Sequence, residues 1–354
     1  MIEIIKNKEK WDLLVNNADM SDFYHTYDYH QLSKNNDETP VLLYFSQGEK
    51  YIALPLFIRE IENTSYKDAT SVYGYSGPVC KNIPKNFDNS IFKKELQKLL
   101  LDNNIISMFS RLNPFIDKQC IILKNIGLVR ALGNVVYIDL SQDLAIQKQQ
   151  YNRRLKTHIN KTRKHCTIKK ATTTEEIDQF IEVYYENMHR VDAKKHYFFK
   201  REYFHDLYNS DSFETEILLT YHTESNIFIG GAMFIKKNNI TQYHLAGAKS
   251  DYLYLNPIKL LIDEMRITSS EENYTFLNLG GGLGSNEDSL FRFKSSFSKN
   301  LKPFELWEVI VNKEVYDKLS KKNKTTNTCT SIEYINGCKD FFPCYRCTIE
   351  KKDN

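Results

Sequence analysis

The sequence predicts a mixed α/β chain: two tandem domains, each a mixed central sheet flanked by helices, followed by a short C-terminal extension. Three observations predict it. At 354 residues the chain exceeds what one hydrophobic core usually organises. Hydrophobic residues make up 41%, charged residues 26% and aromatics 13%, a balance that suits packed domains rather than disorder. A fixed succession of hairpin, third strand, helix, strand and closing strand then occurs twice along the chain, with little residue identity between the copies.

In the first copy a short strand-like run and then Glu9 to Val15 precede DFYHTYDYHQL, where Phe23, Tyr27 and His30 are spaced to share a helix face. VLLYFSQGEKYIALPLFIREI reads as a hairpin around Gln47-Gly48-Glu49, TSVYGYSGPV as the third strand, Phe87 to Asp102 as a helix, ISMFSRLNPF as a strand and VVYIDLS as the closing strand. In the second copy EILLTYHTESNIFIGGAMFIKK is the hairpin and ITQYHLAGA the third strand. Asn256-Pro257 opens a helix to Ile267, since proline suits a first helical turn. FLNLGGG is a strand running into glycines, and Ser285-Asn286-Glu287-Asp288 resembles a capping box opening a helix in which Leu290, Phe293 and Phe297 share a face. FELWEVIVN closes this copy. The expected boundaries are 1–145, 146–318 and an extension over 319–354.

A net charge of +3 nominates no nucleic-acid partner for the molecule as a whole, so any basic function is local. The N-terminus has no basic region followed by an apolar block, and no stretch approaches the roughly 18 uncharged apolar residues of a spanning helix. A cytoplasmic location follows as the expectation, with the inner membrane face as an alternative station. Cys80, Cys120 and Cys166 are scattered, as small core thiols are in reduced compartments. Cys329, Cys338, Cys344 and Cys347 crowd the tail and include one C-x-x-C, but their other gaps match no standard zinc spacing. Free thiols in a loosely packed extension are expected, and no metal.

Several strings together resemble the FemAB-like branch of the GNAT superfamily, which includes peptidoglycan-bridge aminoacyltransferases and BioF2-like acetyltransferases: VYGYSGPV, RLNPF, LGNVVYIDLS, RRLKTHINKTRK, VYYENMHRVDAKKHYFF, FLNLGGG and DSLFRFKSSFS. The likeness runs from about Tyr27 to Tyr316. It implies twin GNAT-like domains and transfer of an acyl or aminoacyl group to an amine. One feature departs from acetyl-CoA enzymes: KSDYLYLNP lacks the glycine-punctuated loop whose amides grip a pyrophosphate. The resemblance therefore implies no tightly bound cofactor, with acyl-CoA, an acyl-carrier thioester or aminoacyl-tRNA as co-substrate.

No acid occurs between Asp143 and Glu175, while nine lysines and arginines accumulate, Arg153 and Arg154 among them. Tyr151, Leu155 and Ile159 give this segment, 148–170, a buried stripe, so its cations fan outward from one helix. They form either a solvated face or a surface that captures phosphate from tRNA, CoA or a nucleotide sugar. Arg190 at a helix end offers a bidentate grip on an anion or answers the helix dipole. Tyr197 beside it is a pocket wall or a core aromatic.

Asn278 and the loop of Gly280, Gly281 and Gly282 follow a strand and precede a capped helix, a place where amides face a substrate. Lys294 lies off the Phe293/Phe297 stripe and points at a phosphate or at solvent. His244 lies on the third strand of the second copy, with Tyr243 and Leu245 expected on the opposite face; it is the candidate general base, or else a half-buried strand histidine. Tyr75, Arg111 and Asn113, at comparable strand ends of the first copy, are candidates for acceptor recognition. No nucleophile elbow, Cys/His pair or zinc helix is present. The expected function is direct attack of an amine, belonging to a small-molecule or lipid-linked envelope precursor such as a peptidoglycan precursor or an amino sugar, on a held acyl donor. The alternative is a catalytically silent module binding RNA or an anionic precursor.

Overall fold

The computed structural model describes residues 1–326 and 341–347. Two compact units form, Met1–Leu132 with Phe304–Asn354, and Gly133–Pro303.

The first unit contains β1 (Ile2–Ile5), α1 (Lys8–Asn17), α2 (Tyr27–Ser33), β2 (Glu38–Gln47), β3 (Lys50–Glu60), β4 (Lys67–Thr70), β5 (Val79–Lys81), α3 (Ser90–Asp102), β6 (Ile105–Arg111), α4 (Gln119–Ile122) and the start of β7 (Leu128–Asp139). Its sheet runs β1-β2-β3-β4-β6 and ends on the later strand β13 (Asn300–Ile310); every neighbour is antiparallel except β4 and β6. Both faces are covered, which explains why β2 and β3 read as continuous apolar runs. Val41, Leu43, Ile52, Leu54 and Leu56 pack with Phe92, Leu96 and Leu100, three positions four apart on α3. Leu42, Ala53 and Val79 pack on the other side with Trp11, Leu14 and Val15 of α1. Each such side chain, fully buried, contributes roughly 1.5–3 kcal/mol. Asn7 caps α1, accepting from the Lys10 amide at 3.3 Å, and the Trp11 indole donates to the His25 carbonyl at 2.8 Å.

The second unit continues from the end of β7 through α5 (Leu144–Gln149), α6 (Arg153–His165), β8 (Cys166–Lys170), α7 (Thr174–Arg190), α8 (Arg201–Tyr208), β9 (Glu214–His222), β10 (Ile227–Lys237), β11 (Ile240–Ala248), α9 (Pro257–Glu271), β12 (Phe276–Gly280) and α10 (Ser289–Lys294). Its sheet runs β8-β9-β10-β11-β12 and ends on β7, again antiparallel except for one parallel pair, β11 and β12. The two units thus share one strand grammar, including a helix between the parallel strands: α3 in one, α9 in the other. The last helix, α11 (Lys313–Thr326), returns to the first unit.

Several elements differ from expectation. The closing strands are exchanged: Leu306–Ile310 of β13 pairs with β6, and Val136–Asp139 of β7 pairs with β12, so the unit boundary lies near 132 rather than 145. Periodicity identifies a strand but does not name its partner. The third strand of the first unit is Lys67–Thr70, and the expected TSVYGYSGPV is mostly loop, interrupted by Gly74, Gly77 and Pro78. Phe23 lies in a 3-10 turn before α2, which Thr26 caps. The helix-capping residue before α10 is Asp288, not Ser285, and the buried phenylalanines are Phe291 and Phe297, while Leu290 is exposed. The segment 148–170 is not one helix: Lys148 lies in the last turn of α5, Arg153–His165 form α6, and Lys169 and Lys170 lie on β8.

The expected loose extension is instead anchored where described: Cys344 is fully buried, its amide donates to the Tyr316 hydroxyl at 3.0 Å, and the Tyr345 hydroxyl meets Ser107 at 2.7 Å and Asp68 at 3.0 Å. Cys329 and Cys338 lie outside the described residues.

His30, fully buried between Trp11 and Phe57, gives its Nδ1 proton to the Thr26 carbonyl at 2.9 Å, while its Nε2 has no partner among the described residues. Burial pushes this imidazole down to about 3. The neutral ring stabilises the fold fully above its ordinary value of 6.5, and that contribution drains away as pH falls towards 3. Compared with His30→Leu, the native chain should lose an additional ~1.4 kcal/mol per pH unit below about 6, read by urea unfolding at pH 6 and pH 5. Parallel losses would show that His30 is not buried in neutral form.

Candidate functional site

The second unit places its polar side chains around a fork. β11 and β12 run parallel and pair only through Ile240–Gln242 and Phe276–Asn278. Beyond that point β11 continues to Ala248 with β10 as its one paired strand among the described residues. Asn278 and Gln242 lock the branch point: the Asn278 amide donates to Gln242 Oε1 at 2.8 Å, and Asn278 Oδ1 accepts from the Gly280 amide at 2.9 Å. Both side chains are buried. Asn278 therefore shapes the fork rather than facing a ligand.

The open edge of β11 faces α7. The Ala246 carbonyl accepts from Asn187 Nδ2 at 3.3 Å, and the Ala248 carbonyl from Arg190 Nη1 at 2.9 Å. Arg190 also reaches Ser250 Oγ at 3.3 Å and Asn187 Oδ1. Its donors brace the helix end against the strand, and that task takes most of the fork expected to grip an anion. Gly247 permits the approach, because a Cβ there would stand 2.4 Å from the Val183 carbonyl.

His244 lies two residues past the branch point. Met233 pairs with Leu245 and Phe234 with Tyr243, so His244 is the extra residue of a β-bulge and the expected simple alternation breaks at it. Its Nε2 shares a 3.0 Å hydrogen bond with the Tyr203 hydroxyl of α8. Burial lowers this imidazole to about 4, keeping it neutral at physiological pH. Tyr203 was not legible as a site residue, since nothing local marks a tyrosine on α8 as a histidine partner. Tyr203 stacks on Phe199 with centroids 4.3 Å apart, and the intervening loop is held where Tyr184 and Tyr185 donate to the carbonyls of Tyr197 and Phe199, both at 2.6 Å. Tyr197 thus enters through its backbone.

On the other prong, β12 opens into Gly280, Gly281 and Gly282. Lys294, at the end of α10, is only 8% exposed and donates to the Gly281 carbonyl at 2.7 Å. Burial pushes its ammonium down to about 8, partly offset by Asp288. It points neither to solvent nor along the surface: a desolvated cation supports the glycine loop. Asp288 caps α10, accepting from the Phe291 amide at 2.9 Å, and also takes the Leu283 amide at 3.1 Å, which fixes the loop from its far end.

The basic run divides in two. Arg163 pairs with Asp263 and Glu264, Lys169 with Glu176, and Lys170 with Glu214 and Glu216. Arg153, Arg154, Lys161 and Lys164 are exposed and have no carboxylate partner among the described residues. Arg154 lies close enough to Lys259 and His158 to depress both, alongside their burial. Lys259, in the first turn of α9, contacts His158 Nδ1 and Asn256 Oδ1, both at 2.8 Å. A cationic patch therefore sits beside the start of α9, following the segment that lacks a glycine loop.

In the first unit, the Asn113 amide donates to Asp22 at 2.9 Å and to the Tyr75 carbonyl at 3.0 Å, so Asn113 holds the loop between β4 and β5. Tyr75 packs edge-on against Tyr24 and Phe304. Arg111 ends β6 with its guanidinium against the rings of Tyr73 and Phe109. The expected site residues thus lie in two places, one in each unit.

No family model and no curated protein matches the sequence. Solved structures do. The crystal structure of FemX superposes with a TM-score of 0.69 at 12% identity, over 89% of this chain and 99% of that one. The C-terminal DUF2156 domain of a putative lysylphosphatidylglycerol synthetase from Agrobacterium fabrum gives 0.55 at 12% identity, over 90% and 97%. A conserved protein of unknown function from Bacteroides thetaiotaomicron VPI-5482 gives 0.56 at 13% identity, over 87% and 99%. At such identities the fold is what is shared, and in this chain it is the mixed sheet flanked by helices described above for each unit. Among the described residues no helix is long and apolar enough to cross a membrane.

Proposed function

We propose that this chain is an acyltransferase in which an amine attacks an acyl or aminoacyl donor held in the fork between β11 and β12. The single observation behind this reading is the fork itself: one strand edge leaves its partner after Gln242, with a bulged neutral histidine on one prong and a desolvated lysine on the other. A carbonyl laid along that edge meets backbone donors, and a fixed cation stabilises the oxyanion that develops on it. The acceptor nitrogen arrives as an ammonium and must lose a proton. His244, uncharged and linked to the Tyr203 hydroxyl, is the group suited to take or relay it.

Arg154 and Lys161, which have no carboxylate partner among the described residues, and Lys259 at the start of α9 favour a donor bearing phosphates, whether an acyl-CoA or an aminoacyl-tRNA. FemX and the lysylphosphatidylglycerol synthetase domain are among the folds that superpose on this one, which supports acyl transfer in the cell envelope as the setting. A peptidoglycan precursor or an amino sugar of a surface polysaccharide is the acceptor this reading favours, used in the cytoplasm.

Incubation with a panel of acyl-CoAs, charged tRNA and amino-sugar nucleotides, read by mass spectrometry, should yield an acylated amine; no adduct from any donor would count against the reading. His244 provides a second check. Its imidazole resonance should stay at the neutral-form position from pH 8 down to about 5, because its charged form is disfavoured until near 4. A midpoint near 6.5 would remove it as the uncharged base. His244→Gln should lower kcat by about 10²- to 10⁴-fold.

A further inference from the structure

The fork makes no use of Arg111 in the first unit. This side chain ends β6 half-buried, and among the described residues its guanidinium has neither a carboxylate nor another hydrogen-bond acceptor. It rests against the rings of Tyr73, 5.4 Å from the centroid, and Phe109, 5.2 Å. Loss of water chiefly, and repulsion from Arg59 in addition, pull it below the ordinary arginine value, although the neighbouring phenols oppose this. The buried carboxylate on the adjacent strand, Asp68, is already engaged by Arg59 at 2.7 Å, by Arg346 and by the Tyr345 hydroxyl. Cation–π contacts return only part of what a partly desolvated cation loses where no counter-charge among the described residues faces it. The deficit is what an incoming anion would relieve.

The surroundings are firmly built. The loop from Ser71 to Pro78 is held along its length: Ser71 Oγ accepts the Arg111 amide at 3.1 Å, the Tyr29 hydroxyl donates to the Tyr73 carbonyl at 3.2 Å, and Asn113 donates to the Tyr75 carbonyl at 3.0 Å. Gln119 then donates to the carbonyls of Ser76 at 2.8 Å and Pro78 at 3.0 Å. Gly74 has φ +122, and a Cβ there would stand 2.0 Å from the Tyr24 ring, so only glycine brings the loop this close. The loop so fixed presents Tyr73, 59% exposed, beside the guanidinium.

We propose that Arg111, framed by Tyr73 and the pinned loop, binds the oxyanion, carboxylate or phosphate, of a small molecule docking on the first unit. With rings against the guanidinium, its edge N–H groups remain to grip two oxygens of one anion. The exposed Tyr73 ring supplies a flat wall for the carbon skeleton carrying that anion. The site is independent of the acyl-transfer reading and is assayed without turnover.

The test uses the full chain in thermal melts and calorimetric titrations with sodium phosphate, sodium pyrophosphate and sodium acetate, each against sodium chloride at equal ionic strength. The native chain should show a saturable rise in Tm with at least one anion, and the more potent of phosphate and acetate identifies the ligand class. Arg111→Met should fold with a Tm at least equal to the native one in chloride, since an uncompensated charge is removed, and should lose the anion-dependent rise. Tyr73→Ala, at an exposed position, should keep the fold and weaken the same anion about twofold to tenfold. A saturable rise undiminished in Arg111→Met, or no rise beyond chloride in the native chain, overturns the proposal.

Discussion

Replacing Asp263 by alanine should remove about 3–5 kcal/mol of stability, the loss typical when one partner of a buried ion pair is deleted. Asp263 is 2% exposed on α9 and gathers three side chains: it accepts from the Tyr151 hydroxyl at 2.9 Å, from Arg163 Nη2 of α6 at 3.0 Å, and from Arg266 Nε and Nη2 at 3.2 and 3.0 Å. Arg266 is equally buried, and without Asp263 its remaining acceptors are the Gln147 side chain at 3.1 Å and the Leu144 carbonyl at 3.4 Å. These leave a full positive charge uncompensated away from water. Chemical denaturation should show a lower midpoint with unchanged slope. The double change Asp263→Leu with Arg266→Met should recover much of the loss, because an apolar pair of similar volume leaves no orphaned charge. A single-variant loss below about 1 kcal/mol would mean that water reaches the network. The hydrogen bonds from Arg163 and Arg266 hold the Asp263 carboxyl below its ordinary value against burial, which raises it, so this contribution is present above pH 3.8 and fades as pH falls further.

Lys294→Met should lower kcat by about 10²- to 10³-fold, the scale of losing one fixed group that stabilises a developing oxyanion. The thermal midpoint should not fall, since methionine fills a site where an ammonium is poorly solvated. In the native chain the lysine is charged below about 8 and neutral above, so the rate should decline through that pH on the alkaline side. Transfer measured on whichever donor and acceptor the screen yields provides the check. A kcat within threefold of native would reduce Lys294 to a brace for the Gly281 carbonyl.

These two residues mark the limit of what local patterns reveal. The Asn256-Pro257 opening of α9 was readable because proline geometry acts within one turn, and α9 starts there. The hairpins β2–β3 and β9–β10 were readable because apolar runs around polar turns settle strand and turn together. The stripe of Tyr151, Leu155 and Ile159 was readable for the same reason, and all three are buried. Lys294 was placed off an aromatic stripe with its direction open, since three-residue and four-residue spacing says which side chains share a face and nothing about how deep the opposite face lies. Arg163 stood among outward cations because its partners come 100 and 101 residues later.

By itself the sequence determined the hairpins, the helix opened at Asn256-Pro257, the doubled strand grammar in outline and the strings that resemble the FemAB-like branch, because these rest on short-range sterics and on alternation along one segment. Tertiary structure alone decided which strand closes each sheet, that His244 occupies a bulge beside Tyr203, that Lys294 lies beneath a glycine loop, and that Arg111 is half-buried without an acid beside it among the described residues. Pairing partners, burial and the local field around a charge are set by atoms far away in the chain, and folding is what brings them together.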